Sequence, residues 1–127
     1  MEKAQRRILL IDKEPWWADS FFKPVLDQRG YKVEVEPDES KALSRMGRRH
    51  YALIVLNSPT GEYADVLQAI HTHYPDIRVI VVSAAPSWRG ARESFRLGAV
   101  DYLSKSYDED KLVQSVEAAL ANPPSEC

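Results

Sequence analysis

The chain has little with which to staple itself together or hold a cofactor. Of its 127 residues one is cysteine, Cys127, the last. A single terminal thiol makes no internal disulfide and no cysteine-based zinc site. His71 and His73 are two apart, so they do not share a helix face, and no third ligand stands near them. The five glycines are scattered, which removes the Gly-rich loop of a P-loop or dinucleotide site. Ser83 lacks the G-x-S-x-G context of a hydrolase nucleophile, and nothing else points to an enzyme. No apolar stretch approaches the ~18 residues of a membrane span. The charged start, Met1 to Arg7, runs straight into an apolar tetrad, unlike a signal peptide. Neither sign of charge dominates: 17 Lys and Arg stand against 19 Asp and Glu, net −2. A strongly basic nucleic-acid binder is therefore disfavoured. The expected setting is cytoplasmic, with no membrane contact and nucleic acid unexpected for this domain alone.

What is present is globular. Hydrophobic residues are 44% and charged residues 28%, which excludes wholesale disorder. One domain is expected over 1–121, with 122–127 a tail or the start of a linker. Short apolar runs recur at Ile8–Ile11, Val33–Val35, Ala52–Leu56, Ile77–Val82 and Val100–Leu103. Near-continuous β-branched runs predict strands covered on both faces, hence a parallel sheet. The second run alternates with Glu34 and Glu36, as an edge strand would.

Helical periods fill the gaps. Trp17, Phe21 and Val25 form one stripe, and Ala42, Leu43 and Met46 another. Val66, Leu67, Ile70 and Tyr74 form a third, and Trp88, Ala91 and Phe95 a fourth. Leu112, Val113, Val116, Ala119 and Leu120 form the fifth. Gly30 and Gly98 sit where helices should stop. Pro15 suits a first helical turn. Ser106 with Glu109 predicts a capping box for the last helix. Pro24, inside the first helix, predicts a kink or a split. Five strands alternating with five helices predict a doubly wound α/β fold of the flavodoxin-like type, strand order 2-1-3-4-5. Its ligands belong at the carboxyl ends of the strands.

Those ends carry Asp12-Lys13-Glu14, Asn57, Ser83 and, after strand 5, Lys105. With the stretches ILLIDKEP, YALIVLN, IRVIVVSA and LGAVDYLSKSYDEDKL, this pattern resembles the receiver domain of bacterial response regulators, from about Arg7 to Leu120. The resemblance implies a CheY-like fold and a place in two-component signalling. It also implies a mechanism. Two acids after strand 1 and an aspartate after strand 3 hold Mg²⁺, and that aspartate takes a phosphoryl group. A hydroxyl after strand 4 and a lysine after strand 5 bind the phosphoryl oxygens.

The sequence departs from that pattern where the chemistry lies. Asp12 matches the first acid, Ser83 the hydroxyl, Lys105 the lysine and Tyr102 the aromatic switch position. Lys13 replaces the second acid, and Asn57 the phosphoacceptor. Ser106 replaces the usual proline, and the stretch after Asn57 is shorter than usual. Asp12, Lys13, Asn57 and Lys105 sum to +1. Two like unit charges at 4 Å repel by about 4 kcal/mol at an effective dielectric of 20, so Mg²⁺ binding is expected to be weak or absent. No other cofactor is expected. The Lys13 ammonium is expected to stand in for the metal, paired with Asp12.

The expectation is therefore a degenerate receiver acting through protein contacts on the face of helix 4, strand 5 and helix 5. A partner protein, an output domain or a second copy would bind there. Arg89, Arg92 and Arg96 share one face of helix 4, and Trp16 should face away from the core. Two alternatives stand beside it. One is an anion-binding module using Lys13, Lys105 and Ser83. The other is a receiver phosphorylated on Asp12.

Overall fold

The computed structural model describes residues 6–14, 16–57 and 63–121. Five parallel strands form one sheet: β1 (Arg7–Asp12), β2 (Lys32–Glu36), β3 (Leu53–Asn57), β4 (Val79–Ser83) and β5 (Asp101–Ser104). Their order is β2-β1-β3-β4-β5, as the apolar runs predicted. Each strand begins one or two residues away from its apolar run and ends on the polar residue after it. The helices are α1 (Lys23–Gln28), α2 (Glu39–Arg48), α3 (Ala64–His73), α4 (Trp88–Arg96) and α5 (Glu109–Ala121).

The two faces of the sheet bury alternate strand residues, as a period of two requires. Ile8, Leu10, Leu53, Val55, Ile80 and Val82 meet Phe22, Leu26, Val113 and Val116 of the α1 and α5 layer. Leu9, Ile11, Ile54, Leu56, Val79 and Val81 meet Met46, Leu67 and Ile70 of the α2 and α3 layer. Covering both faces is what made β1, β3 and β4 read as unbroken apolar runs. The edge strand β2 is different. Glu34 accepts from Tyr51 Oη at 2.7 Å, from Arg49 Nη1 at 2.7 Å and from Arg45 Nη1 at 3.1 Å. Glu36 pairs with Arg45 Nε at 3.0 Å. Arg45 and Arg49, toward the end of α2, are thus paired with the edge strand's acids.

Pro24 splits the first helix by a specific device. Ala18–Phe22 forms a π-helical turn, closed by Lys23 N–H donating to the Ala18 carbonyl. In α geometry Pro24 would lose its bond to Ser20 and its ring would strike that carbonyl. The wider turn lets α1 begin afresh, with the proline in its first turn. Gly30 and Gly98 end helices at φ of +88° and +106°. Pro15, most of the shortened segment after Asn57 (58–62) and the tail 122–127 lie outside the described residues.

Two expectations fail. The last helix is capped by Asp108, not Ser106: Asp108 Oδ1 accepts from Lys111 N–H at 3.1 Å. Ser106 Oγ accepts from Asp108 N–H at 3.2 Å, so it shapes the approach to the cap. The helix 4 stripe is also inverted. Trp88 is 73% exposed and Phe95 46%, while Ser94 is fully buried. Small residues let α4 approach the sheet: a Cβ on Gly90 would stand 2.6 Å from Tyr102 Oη.

Candidate functional site at the strand ends

Strand register sets the site. Asp12 and Asn57 are direct partners at the ends of β1 and β3. Ser83 closes β4 opposite Ser104, and the next residue, Lys105, donates its N–H to the Ser83 carbonyl at 2.8 Å. Asp12 is fully buried, and Asn57 and Ser83 nearly so. Asp12 Oδ1 accepts from Glu14 N–H at 2.9 Å, and Ser83 Oγ from Ala85 N–H at 3.1 Å. Each side chain thus braces the loop that leaves its strand. Asp12 Oδ2 and both side-chain polar atoms of Asn57 have no hydrogen-bond partner among the described residues.

The two lysines diverge. Lys13 is exposed and lines a surface cleft with Pro37, Asp38, Glu39 and Ser40. The expected pair with Asp12 is absent. The acids at the start of α2 are Lys13's neighbours, and solvating its ammonium costs less than burying it. Lys105 Nζ lies 5.6 Å from the centroid of the Trp17 ring. Trp17 is buried, and its Nε1–H donates to the Ser106 carbonyl at 2.9 Å. The two ammonium groups thus have different neighbours, which does not favour a shared anion site. The buried charge at the site is instead the Asp12 carboxylate.

A divalent cation wants several oxygen ligands, usually with more than one carboxylate. The unpartnered Asp12 Oδ2 and Asn57 Oδ1 are suitable atoms, but they supply a single carboxylate. Lys13 occupies the position of a second. The donor set does not fit a resident Mg²⁺.

The switch position has its own surroundings. The Tyr102 hydroxyl accepts from Ser87 N–H at 3.3 Å, and the Tyr63 hydroxyl donates to the Gly90 carbonyl at 2.9 Å. Two tyrosines thereby hold the first turn of α4. Sequence reasoning missed Tyr63, Ser87 and Gly90, because nothing local marks a glycine as a seat for a distant ring. Arg89, Arg92 and Arg96 are exposed beside Trp88 and make no ion pair among the described residues. Trp16 is 71% exposed, as expected, and meets the ring of Tyr107 edge-on at 6.1 Å.

Comparison with known proteins agrees with this geometry. The response regulator receiver domain model matches residues 8–117, and the chain belongs to that family. It is 28% identical over 126 residues to the photosynthetic apparatus regulatory protein RegA of Cereibacter sphaeroides, covering 95% of this chain and 68% of that protein. It is 31% identical over 123 residues to the acid tolerance regulatory protein ActR of Rhizobium meliloti, covering 95% and 61%. The chain thus spans about two thirds of such relatives' length. A CheY-like receiver domain protein from Methanospirillum hungatei superposes with a TM-score of 0.80 at 25% identity, over 91% of this chain and 93% of that one. HP1043, an orphan response regulator of H. pylori, superposes at 0.81 with 25% identity, over 94% and 99%. The chain is therefore a receiver domain of the kind used in two-component signalling. No described helix is long and apolar enough to cross a membrane.

Proposed function

We propose that this receiver signals through protein contacts, without aspartyl phosphorylation and without a resident Mg²⁺. The observation that carries the reading is Asn57 at the phosphoacceptor position, buried beside Asp12 at the end of β3. A carboxamide oxygen is a weak nucleophile and forms no acyl phosphate. Asp12 is a poor substitute, because it is fully buried and one of its oxygens is tied to the Glu14 amide. A solved atypical orphan response regulator, described as having a phosphorylation-independent regulatory mechanism, superposes at a TM-score of 0.78 with 26% identity, over 94% of this chain and 99% of that one. That likeness favours the same logic here.

The contact face in this reading is α4, β5 and α5. Trp88, Phe95 and the three arginines of α4 supply the residue types that dominate interface energetics. The occupant is an output domain of the same regulator, a separate protein or a second copy of the chain. The setting is cytoplasmic.

Acetyl phosphate or beryllofluoride with Mg²⁺ tests the central point. Intact mass should show no phosphoryl adduct, and Trp16 and Trp17 should give no Mg²⁺-dependent fluorescence change. A stable adduct, or a saturable Mg²⁺-dependent signal, would overturn the reading.

A further inference from the structure

Asp12 Oδ2, Asn57 Oδ1 and Asn57 Nδ2 are buried and have no hydrogen-bond partner among the described residues. Asp12 is 0% exposed and Asn57 3%. Buried polar groups are nearly always hydrogen-bonded, and a buried carboxylate without a counter-charge is costly. The two oxygens, Asp12 Oδ2 and Asn57 Oδ1, therefore constitute a demand for a donor, above all a cationic one.

Lys105 is the cation wired to meet that demand. Its backbone is fixed to the end of β4 through the Ser83 carbonyl at 2.8 Å. Strand β4 lies beside β3, where Asn57 sits. Two strand spacings, about 10 Å, separate β5 from β3. A four-carbon lysine stem together with the carboxamide's own length covers most of that distance. In the structure, however, the ammonium lies over the Trp17 ring, 5.6 Å from its centroid. That seat is rigid. Trp17 packs on Phe22 at 5.3 Å between ring centroids and donates to the Ser106 carbonyl at 2.9 Å.

We infer that Lys105 has two stations, and that Trp17 is the positioning residue that competes with Asn57 for it. At the first station the ammonium rests on the indole face. At the second it donates to Asn57 Oδ1 and approaches the Asp12 carboxylate. Residue 105 adjoins Ser106, whose carbonyl holds Trp17. Exchange between stations therefore pulls on the connection that leads into α5. This is a two-state element that needs no covalent modification, and so extends the reading of an unphosphorylated receiver. It rests on that reading only in treating Asn57 as an unmodified acceptor.

Nuclear magnetic resonance of the whole chain tests it, with a chelator and no phosphodonor. The reporters are the Trp17 indole N–H signal and the Overhauser contacts between the Lys105 ε-protons and the Trp17 ring. Asn57→Asp adds a carboxylate at the second station. It should shift the indole signal and remove those contacts. Asn57→Leu deletes the station and should strengthen them. Lys105→Met in the Asn57→Asp background should abolish the shift. Asp12→Asn, a milder change, should move the reporters in the direction of Asn57→Leu. Identical Trp17 signals across the wild type, Asn57→Asp and Asp12→Asn would overturn the inference. So would a shift that survives Lys105→Met. Phosphorylation of the wild type by acetyl phosphate would instead defeat the proposed function, and the lysine result would still be readable.

Discussion

The backbone amide of Ser87 donates to the hydroxyl of Tyr102 at 3.3 Å, so a residue of β5 holds the start of α4. Ser87 is also the α4 N-cap, its Oγ accepting from Gly90 N–H at 3.0 Å. Gly90 leaves the room for this arrangement. An added Cβ would stand 2.6 Å from Tyr102 Oη and 3.2 Å from Ser87 Oγ. Alanine in a helix is worth about 1 kcal/mol over glycine. A lost hydrogen bond costs about the same. The Tyr102 hydroxyl is the far end of a flexible side chain and can give way. Gly90→Ala should therefore leave stability within about 1 kcal/mol of the parent while displacing the Tyr102 ring. Thermal unfolding checks the first half. The Ser87 amide resonance checks the second, and an unmoved signal would contradict it.

Gly98 should behave in the opposite way. Its φ is +106°, and a Cβ would meet His71 Nδ1 at 2.5 Å and the ring carbon behind it at 2.9 Å. Backbone strain and a clash with a ring act together, so Gly98→Ala should cost about 2 kcal/mol or more. Gly30 has a φ of +88°, but its Cβ would meet only the tip of Arg6, at 3.3 Å. Gly30→Ala should cost about 1 kcal/mol. Urea midpoints of the two variants decide the order. A Gly98 variant as stable as the Gly30 variant would show that His71 is free to move aside.

Both glycines were legible as helix stops, and so was the whole strand order. Apolar runs at β1, β3 and β4 and the alternation at β2 report burial on two faces or one, a signal that each run carries in its own residues. The α4 face was not legible. Trp88, Ala91 and Phe95 have the spacing of a core stripe, yet the helix buries Ser94 and seats Tyr102 against Gly90. Periodicity marks a face and does not say which way it points. Trp88→Ser should accordingly change stability by no more than about 0.5 kcal/mol, as exposed substitutions do. Truncating a core aromatic costs about 3–5 kcal/mol. A large loss in chemical denaturation would show that Trp88 is not the surface residue seen here. At the candidate site, the identities of Asp12, Asn57, Ser83 and Lys105 were legible from strand ends. The directions of Lys13 and Lys105 were not, because they depend on Asp38, Glu39 and Trp17, distant in sequence.

The edge strand should make stability depend on acid. Burial pushes the Glu34 carboxyl up, but the Tyr51 hydroxyl, the Arg49 guanidinium and the charge of Arg7 outweigh it, and its pKa is lowered from the usual 4.5. A carboxyl lowered in the folded state favours folding above its unfolded value. That contribution is lost as pH falls below 4.5 and through the folded value. Burial, then the neighbouring Glu34 carboxylate, raises Tyr51 from the usual 10.0. Its contribution is present below that value and disappears as pH rises past it. Glu34→Gln should cost about 2 kcal/mol at neutral pH, since it leaves guanidinium groups without their acid. It should also flatten the acid limb of stability against pH. An unchanged acid limb would assign that limb to other carboxylates.

Two substitutions at the strand ends should create a metal site. Asp12 already stands buried at the end of β1, with Oδ2 unpartnered. Its register partner on β3 is residue 57, so Asn57→Asp places a second carboxylate beside it. Lys13→Asp removes an exposed ammonium and supplies a third acid at the loop that leaves β1. A set of three acids with Lys105 has the charge that a divalent ion neutralises, and hard oxygen ligands are what Mg²⁺ requires. The double variant should therefore gain saturable Mg²⁺ binding, read by Trp fluorescence, and Mg²⁺ should raise its melting temperature. The parent should show neither response. The Asn57→Asp single variant should bind more weakly than the double, since Lys13 would still repel the ion. If the double variant folds and gains no Mg²⁺ affinity, residues 13 and 57 are not what separates this pocket from a metal-binding receiver. The reading built on Asn57 would then lose its physical basis.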